Sequence, residues 1–383
     1  MFQLKSVFER RAFAIARPRV FRIPVMTGTV VVATCLPSLA QEQQHWDACK
    51  NAGKSAAFEQ VIGGCDALIS SGKEHGRNLA IAHYHRANAY RDRGELDRAV
   101  ADYGEAVRHD PKLAAAFISR GSIHRQRRER DRAIADFTAA LAIDPNLVGV
   151  LHVRAFEYRQ KGDLDRAIAD YGAVIRLDPK NAQAYLSRAL IYRSRNELDP
   201  ALADLNAAIR LDTKSAIAYV NRGLIHAAKG ETDGAVNDFS AAIAINPRQP
   251  VVLLNRGRLY RQKQEFDRAV ADFSAVIKLN RKSAPAFASR GDVYRNKGDF
   301  EHAIEDFSEA IKLDPTQAFV FHSRGIVYHN QRQLDRAIAD YSEAIRLDPK
   351  LATAYVNRGR AFQDLGEVDR AMADFAQAKK LGR

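Results

Sequence analysis

Arginine supplies the most regular chemistry in this sequence of 383 residues. Arg86, Arg120, Arg154, Arg188, Arg222, Arg256, Arg290, Arg324 and Arg358 stand 34 residues apart, each on the apolar stripe of a helical pattern. An unpaired guanidinium there would cost several kcal/mol, so each needs an acceptor. An equally regular series of acids, Asp102, Asp136, Asp170, Asp204, Asp238, Asp272, Asp306, Asp340 and Asp374, flanks the apolar stripe of the following segment. The two columns read as a ladder of half-buried Arg and Asp pairs that sets register instead of binding a ligand. A second arginine series lies off that stripe: Arg91, Arg125, Arg159, Arg193, Arg261 and Arg295, with His329 in a seventh position. Guanidinium groups repeated along one face suit bidentate capture of carboxylate or phosphate.

Nothing comparable points to catalysis. The eleven histidines show no metal-ligand spacing, and His83 and His85 project from different faces of one helix. No glycine-rich phosphate loop, nucleophile elbow or zinc-binding His pair around Glu occurs in the sequence. The paired acids of each unit are accounted for by helix capping and by the arginine ladder. The expectation is a protein that is not an enzyme, with no metal and no cofactor. Hydrophobic residues at 46% and charged residues at 27% describe a chain able to fold and pack, and a formal net charge of +13 favours an acidic partner.

The elements that must position these residues repeat without a gap from Ala80 to Arg383. The units are 80–113, 114–147, 148–181, 182–215, 216–249, 250–283, 284–317, 318–351 and 352–383. In the first, His83, Arg86, Ala87 and Tyr90 fall at i, i+3, i+4 and i+7, one packed face of a helix. Gly94, Gly162, Gly230, Gly298 and Gly366 supply left-handed stops. A second helix opens after Asp97, shows Ala99, Val100, Tyr103, Ala106 and Val107 at helical spacing, and ends at Asp110-Pro111. Each unit is therefore a helical hairpin. A small residue recurs at one point of every first helix, from Ala87 and Gly121 to Gly359, and lets two helix backbones approach closely.

This grammar resembles the tetratricopeptide repeat family, whose period is 34 residues. The resemblance covers Ala80 to Arg383. Its departures are local: Thr213 and Arg281 replace the terminal proline, Leu205 replaces the aromatic of the second helix, and Arg stands in all nine units where the family usually has leucine. The resemblance implies an all-α fold, a right-handed α-solenoid (superhelix) of tandem helix-turn-helix hairpins stabilised by neighbour interfaces. Lys379, where earlier units place an apolar residue against the next hairpin, reads as the end of the stack. The resemblance also places Tyr84, Asn88 and Arg91 on the concave groove. The groove floor then includes Ile118, Leu186, Val220 and Leu254, and its edge Arg125, Arg159, Arg193, Arg261 and Arg295. A lysine and asparagine clamp for a C-terminal carboxylate, carried by chaperone-binding members, is absent, since Asn88 stands beside Tyr84 where a lysine is required. The implied function is a non-enzymatic scaffold that takes an acidic protein or peptide segment in a basic groove. The rival is a binder of a polyanion, either an acidic surface polymer or nucleic acid. Nucleic acid is disfavoured by the export signal described next and by the lack of regularly placed exposed aromatics.

Residues 1–40 read as a signal peptide. Lys5, Arg10, Arg11, Arg17, Arg19 and Arg22 precede an apolar run from Val25 to Leu36 that is too short to span a bilayer, and Ser38-Leu39-Ala40 offers small residues for cleavage. Arg10-Arg11 before Phe13 faintly matches a twin-arginine signal, and Val32-Ala33-Thr34-Cys35 a lipoprotein site; an uncleaved amphipathic arm is the third alternative. Cleavage after Ala40 makes the protein periplasmic or secreted, with no transmembrane segment in the mature chain. Taking the segment's five net positive charges from +13 leaves +8. Trp46 to Ile69 resembles a degenerate hairpin, so 41–79 is expected to form an N-terminal cap. Cys49 and Cys65 remain after Cys35 is lost, and in an oxidising compartment they are expected to join in a disulfide. N-terminal sequencing of the protein from its native host is expected to begin at or near Gln41; recovery of intact Met1 from the cytosol would overturn this.

Overall fold

Two apolar stripes joined by a short turn are buried when the second helix folds back on the first, and each hairpin then needs a neighbour to cover what remains. The computed structural model describes residues 36–50 and 58–382, which hold twenty α-helices and no strand. The expected signal peptide lies outside the described residues except for Leu36–Ala40, which form the first turn of α1. The chain divides into two units, residues 1–111 and 112–383.

The first unit contains α1 (Leu36–Lys50), α2 (Phe58–Ser70), α3 (Gly76–Asp92) and α4 (Leu96–His109). Cys49 of α1 and Val61, Cys65 and Leu68 of α2 share one core cluster with Ala82 and Ala89 of α3. The expected disulfide is present between Cys49 and Cys65, with Cα atoms 4.7 Å apart. Trp46 donates its indole N–H to the buried Glu74 at 2.8 Å. These contacts seat the α1 and α2 pair on the first repeat hairpin, α3 and α4.

The second unit is a run of eight hairpins. They are α5 (Ala114–Gln126) with α6 (Arg130–Ile143), α7 (Val148–Lys161) with α8 (Leu164–Leu177), α9 (Ala182–Ser194) with α10 (Leu198–Leu211), and α11 (Ala216–Ala228) with α12 (Thr232–Ile245). Then follow α13 (Pro250–Gln262) with α14 (Phe266–Leu279), α15 (Ala284–Lys297) with α16 (Phe300–Leu313), α17 (Ala318–Asn330) with α18 (Leu334–Leu347), and α19 (Ala352–Asp364) with α20 (Val368–Lys380). Each helix packs on its hairpin partner, and each second helix packs on the first helix of the next hairpin, so this unit is an α-solenoid.

The turns follow from local chemistry. Gly162 and Gly298 end α7 and α15 in the left-handed conformation, at φ +85° and +79°. At the same position of other hairpins Arg128, Asn196, Gln264 and Arg332 adopt φ of 60–61°. The turn geometry thus persists without glycine, at a cost of roughly 1–2 kcal/mol each. Second helices before the last end on Asp or Asn, whose side chain accepts the N–H two residues on, as in Asn146 to Asp144 at 2.9 Å and Lys214 to Asp212 at 3.0 Å.

Every arginine of the buried column is paired as expected. Arg256 donates through Nε and Nη2 to the two oxygens of Asp272 at 2.9 and 2.7 Å, and the other eight pairs, 16 residues apart, repeat this two-pronged contact. Nη1 reaches in the other direction, to the second helix of the preceding hairpin. Arg256 bonds Ser240 at 2.9 Å, and Thr138, Asn206, Ser274, Ser308 and Ser342 receive Arg154, Arg222, Arg290, Arg324 and Arg358. In the first unit Arg86 takes Asp66 of α2 in the same way, at 2.5 Å. One side chain therefore ties three helices. Burial raises the Asp306 carboxyl above its ordinary range even with Arg290 beside it. At Asp102 burial pushes the same way, but hydrogen bonds from Arg86 and His83 outweigh it and the carboxyl is lowered.

The small-residue column is a close contact as well. A Cβ built on Gly257 would lie 2.7 Å from Cε1 of Phe273, a ring with no exposed surface. In the fourth hairpin, where Leu205 replaces the ring, the small residue is Ala189. Gly257→Ala is expected to destabilise the array by about 1–3 kcal/mol through overpacking. Urea denaturation followed by circular dichroism checks this, and an unchanged midpoint would mean the ring can yield.

Candidate functional site

The first helices supply the face that no hairpin partner covers. Within the second unit they touch one another directly, α9 with α11, and α13, α15, α17 and α19 in succession. Residues at i, i+3 and i+7 along such a helix share a side, so Ile217, Val220 and Leu224 of α11 form one row, and Val251 and Leu254 of α13 continue it.

The sequence-predicted residues are not equally available. In the first unit Asn88 accepts a hydrogen bond from the Tyr103 hydroxyl at 2.6 Å, Tyr84 lies against the Tyr103 ring at 5.9 Å, and Arg91 pairs with its neighbour Asp92. In the second unit Ile118, Val220 and Leu254 are half-buried and pack against core clusters. Leu186 is different: at 6% exposure it belongs to the core of the fourth hairpin and offers no contact surface. The large exposed apolar side chains of this face are Ile217 at 60% and Val251 at 68%, with Phe156 and Phe319 also open. Sequence reasoning missed them. Their signal was present, since each stands one helical turn from a residue of the column expected to form the floor, Phe156 from His152 and Phe319 from His322.

The arginine edge is interrupted by acids. Arg261 donates to Asp292 at 2.9 Å, and Arg295 lies 3.2 Å from the same carboxylate. His329 lies 3.0 Å from Asp364, which also takes Arg332. Glu157 is buried at a position where neighbouring units carry Ile123 and Ile191; burial raises its carboxyl above the usual range, against the pull of Arg125 and Arg130. Arg159 extends over the Phe156 ring at 5.4 Å. Among the described residues Arg159 and Arg193 have no carboxylate partner, and Arg125 is exposed. The basic character of the face is therefore concentrated in the second to fourth hairpins, beside the apolar row of the fifth and sixth.

This arrangement, stacked hairpins with a free layer of first helices, defines a helical-repeat scaffold. Sequence models described as "Tetratricopeptide repeat" match residues 80–113, and separately 114–147, 216–249, 251–283 and 352–381; one described as "TPR repeat" matches 157–192, 189–230, 291–332 and 328–366. The chain belongs to the tetratricopeptide repeat family, whose members serve as protein-interaction scaffolds. No curated protein matches it. Among solved structures, the C-terminal part of a TPR repeat-containing protein from Cytophaga hutchinsonii is 18% identical, with 63% of this chain and 98% of that one covered at a TM-score of 0.54. A tetratricopeptide repeat protein from Parabacteroides merdae is 27% identical over 62% of this chain and 93% of that one, at 0.47. YrrB, a TPR protein with an unusual peptide-binding site, is 23% identical over 48% and 95%, at 0.45. No described helix is long and apolar enough to cross a membrane.

Asp292 holds two guanidinium groups, so Asp292→Ala should release both to external anions. A fluorescein-labelled glutamate-rich peptide is expected to bind the variant a few-fold more tightly at low salt, since each exposed pair is worth about 0–1 kcal/mol. Anisotropy titration measures this, and equal affinity would show that Arg261 and Arg295 face away from any bound anion.

Proposed function

We propose that this chain is an exported scaffold of the cell envelope that binds a partner segment carrying both acidic and apolar side chains along its layer of first helices. One observation carries the reading: Arg159 and Arg193, without internal counter-ions, stand on the same layer as the exposed Ile217 and Val251. Exposed aliphatic side chains on successive helices, on a layer that also carries guanidinium groups without counter-ions, have the composition of an interaction patch. An extended peptide offers the complementary pattern, its acids to the arginines and its apolar residues to the row. Individual exposed ion pairs are weak, yet a rigid face limits the ordering cost of binding. The same break in the arginine series argues against a long polyanion, which would need the whole edge to be basic. The Cys49–Cys65 disulfide supports an oxidising compartment and hence export.

The test uses the mature protein as bait in its own envelope extract, beside a variant carrying Arg125→Glu, Arg159→Glu and Arg193→Glu and a second carrying Ile217→Ser and Val251→Ser. The same partner is expected to be lost from both, with helicity and melting temperature little changed because these side chains lie outside the packed stripe. Retention by both folded variants would move the binding surface elsewhere. Loss from the arginine variant alone, with a steep decline of affinity as salt rises, would instead favour the polyanion.

A further inference from the structure

The first hairpin brings together three side chains that the interaction face does not use. His83 of α3 and Glu105 and His109 of α4 each place one ligand atom within 4.8 Å of the others, the one such group of three among the described residues. The two imidazoles stack, with centroids 5.8 Å apart and planes at 11°. His83 is buried, and its Nδ1 lies 3.0 Å from Asp102. A proton directed at that carboxylate leaves the lone pair on Nε2, the usual arrangement of a metal-ligating histidine and its orienting acid. Glu105 and His109 are one turn apart, with Nε2 of the imidazole 3.7 Å from the carboxylate. Arg108 places its guanidinium against both, 2.8 Å from His109 Nε2. A cation is thus already held at this point, on an exposed side chain free to swing away.

We propose that His83, Glu105 and His109 form a binding site for a divalent transition metal of the zinc type. Two imidazoles and one carboxylate are a donor set that zinc takes at about 2.0–2.2 Å with a fourth position left to water. Reaching that geometry requires the donors to close to about 3.4 Å from one another. Glu105 and His109 are already 3.7 Å apart, so most of the closure is toward the buried His83, while the solvent-open Arg108 side chain leaves. Asp102, which orients His83, also takes Nε and Nη2 of Arg86, and Arg86 in turn bonds Asp66 of α2. A metal on His83 therefore pins α3 to α4 at the point where the disulfide-linked pair is tied on. The site does not depend on what the arginine face binds.

Tag-free, chelator-stripped protein is titrated with Zn2+ by calorimetry and with Co2+ by visible absorption. One saturable equivalent is expected, with the intense cobalt bands of a four-coordinate site. His109→Ala and Glu105→Ala should each weaken it by more than the roughly 10-fold that loss of an orienting partner costs. Arg108→Gln should tighten it, because the competing guanidinium is gone. Circular dichroism confirms that the variants stay folded, since all three replaced side chains lie outside the buried core. The proposal is overturned if the parent binds neither ion, if His109→Ala binds as the parent does, or if Arg108→Gln binds more weakly.

Discussion

The fold depends on one recurrent contact, an arginine placed where a leucine would have served for packing alone. Each guanidinium is largely withdrawn from water, which is tolerable because its nitrogens find acceptors: two bonds to the aspartate of its own hairpin and, in most units, a third to the helix before. The geometry of that fork is rigid, so it sets the crossing of the hairpin and its step to the neighbour at once. Where the preceding acceptor is missing, as at Gly172, Nη1 of Arg188 faces a glycine that offers no side-chain acceptor, and a Cβ there would meet it at 3.4 Å, an ordinary contact. Apolar packing of small residues on aromatic rings supplies the area; the arginines supply the register.

That division of labour frees the other side of each first helix. The column of arginines points into the stack, so residues one and two turns away on the free face contribute little to stability. Such positions can differ from unit to unit without penalty, and one column does: Phe156, Leu190, Leu224, Arg258, Asp292 and Ile326 stand at the same point of successive first helices. An outer set of ion pairs 30 residues apart, such as Lys229 with Asp199 and Lys263 with Asp233, links neighbouring turns on the surface. These are exposed and add little individually.

The electrostatics of the face show how tertiary contacts edit a sequence-level charge count. A row of arginines at constant spacing suggests a continuous positive edge, and a net charge of +13 strengthens the impression. Asp292 and Asp364 neutralise its far end, and Glu157 sits buried near Arg125 where an aliphatic residue is usual. What remains is local, two unpaired guanidinium groups next to an aliphatic row, which is a more selective surface than a basic stripe.

The sequence by itself determined the period, the hairpins, the pairing of arginine with aspartate and the Cys49–Cys65 bond. The first three follow from regularities of one helix or of two helices joined by a short turn, where spacing along the chain dictates neighbours in space, whereas the bond was expected from an even cysteine count in an oxidising compartment. Leu186 was assigned to the groove floor with the rest of its column; only its burial in a core with Leu205 and Ile209 set it apart. Asp292 was invisible as a counter-ion because it lies 31 residues from Arg261, on the next hairpin. No metal-ligand spacing was recognised among the histidines because Glu105 and His109 supply two donors from one helix and the third, His83, comes from the helix folded against it. Tertiary structure decided these because exposure, charge pairing and donor convergence are properties of several helices at once, and a repeat pattern specifies the average unit while function lies in the departures from it.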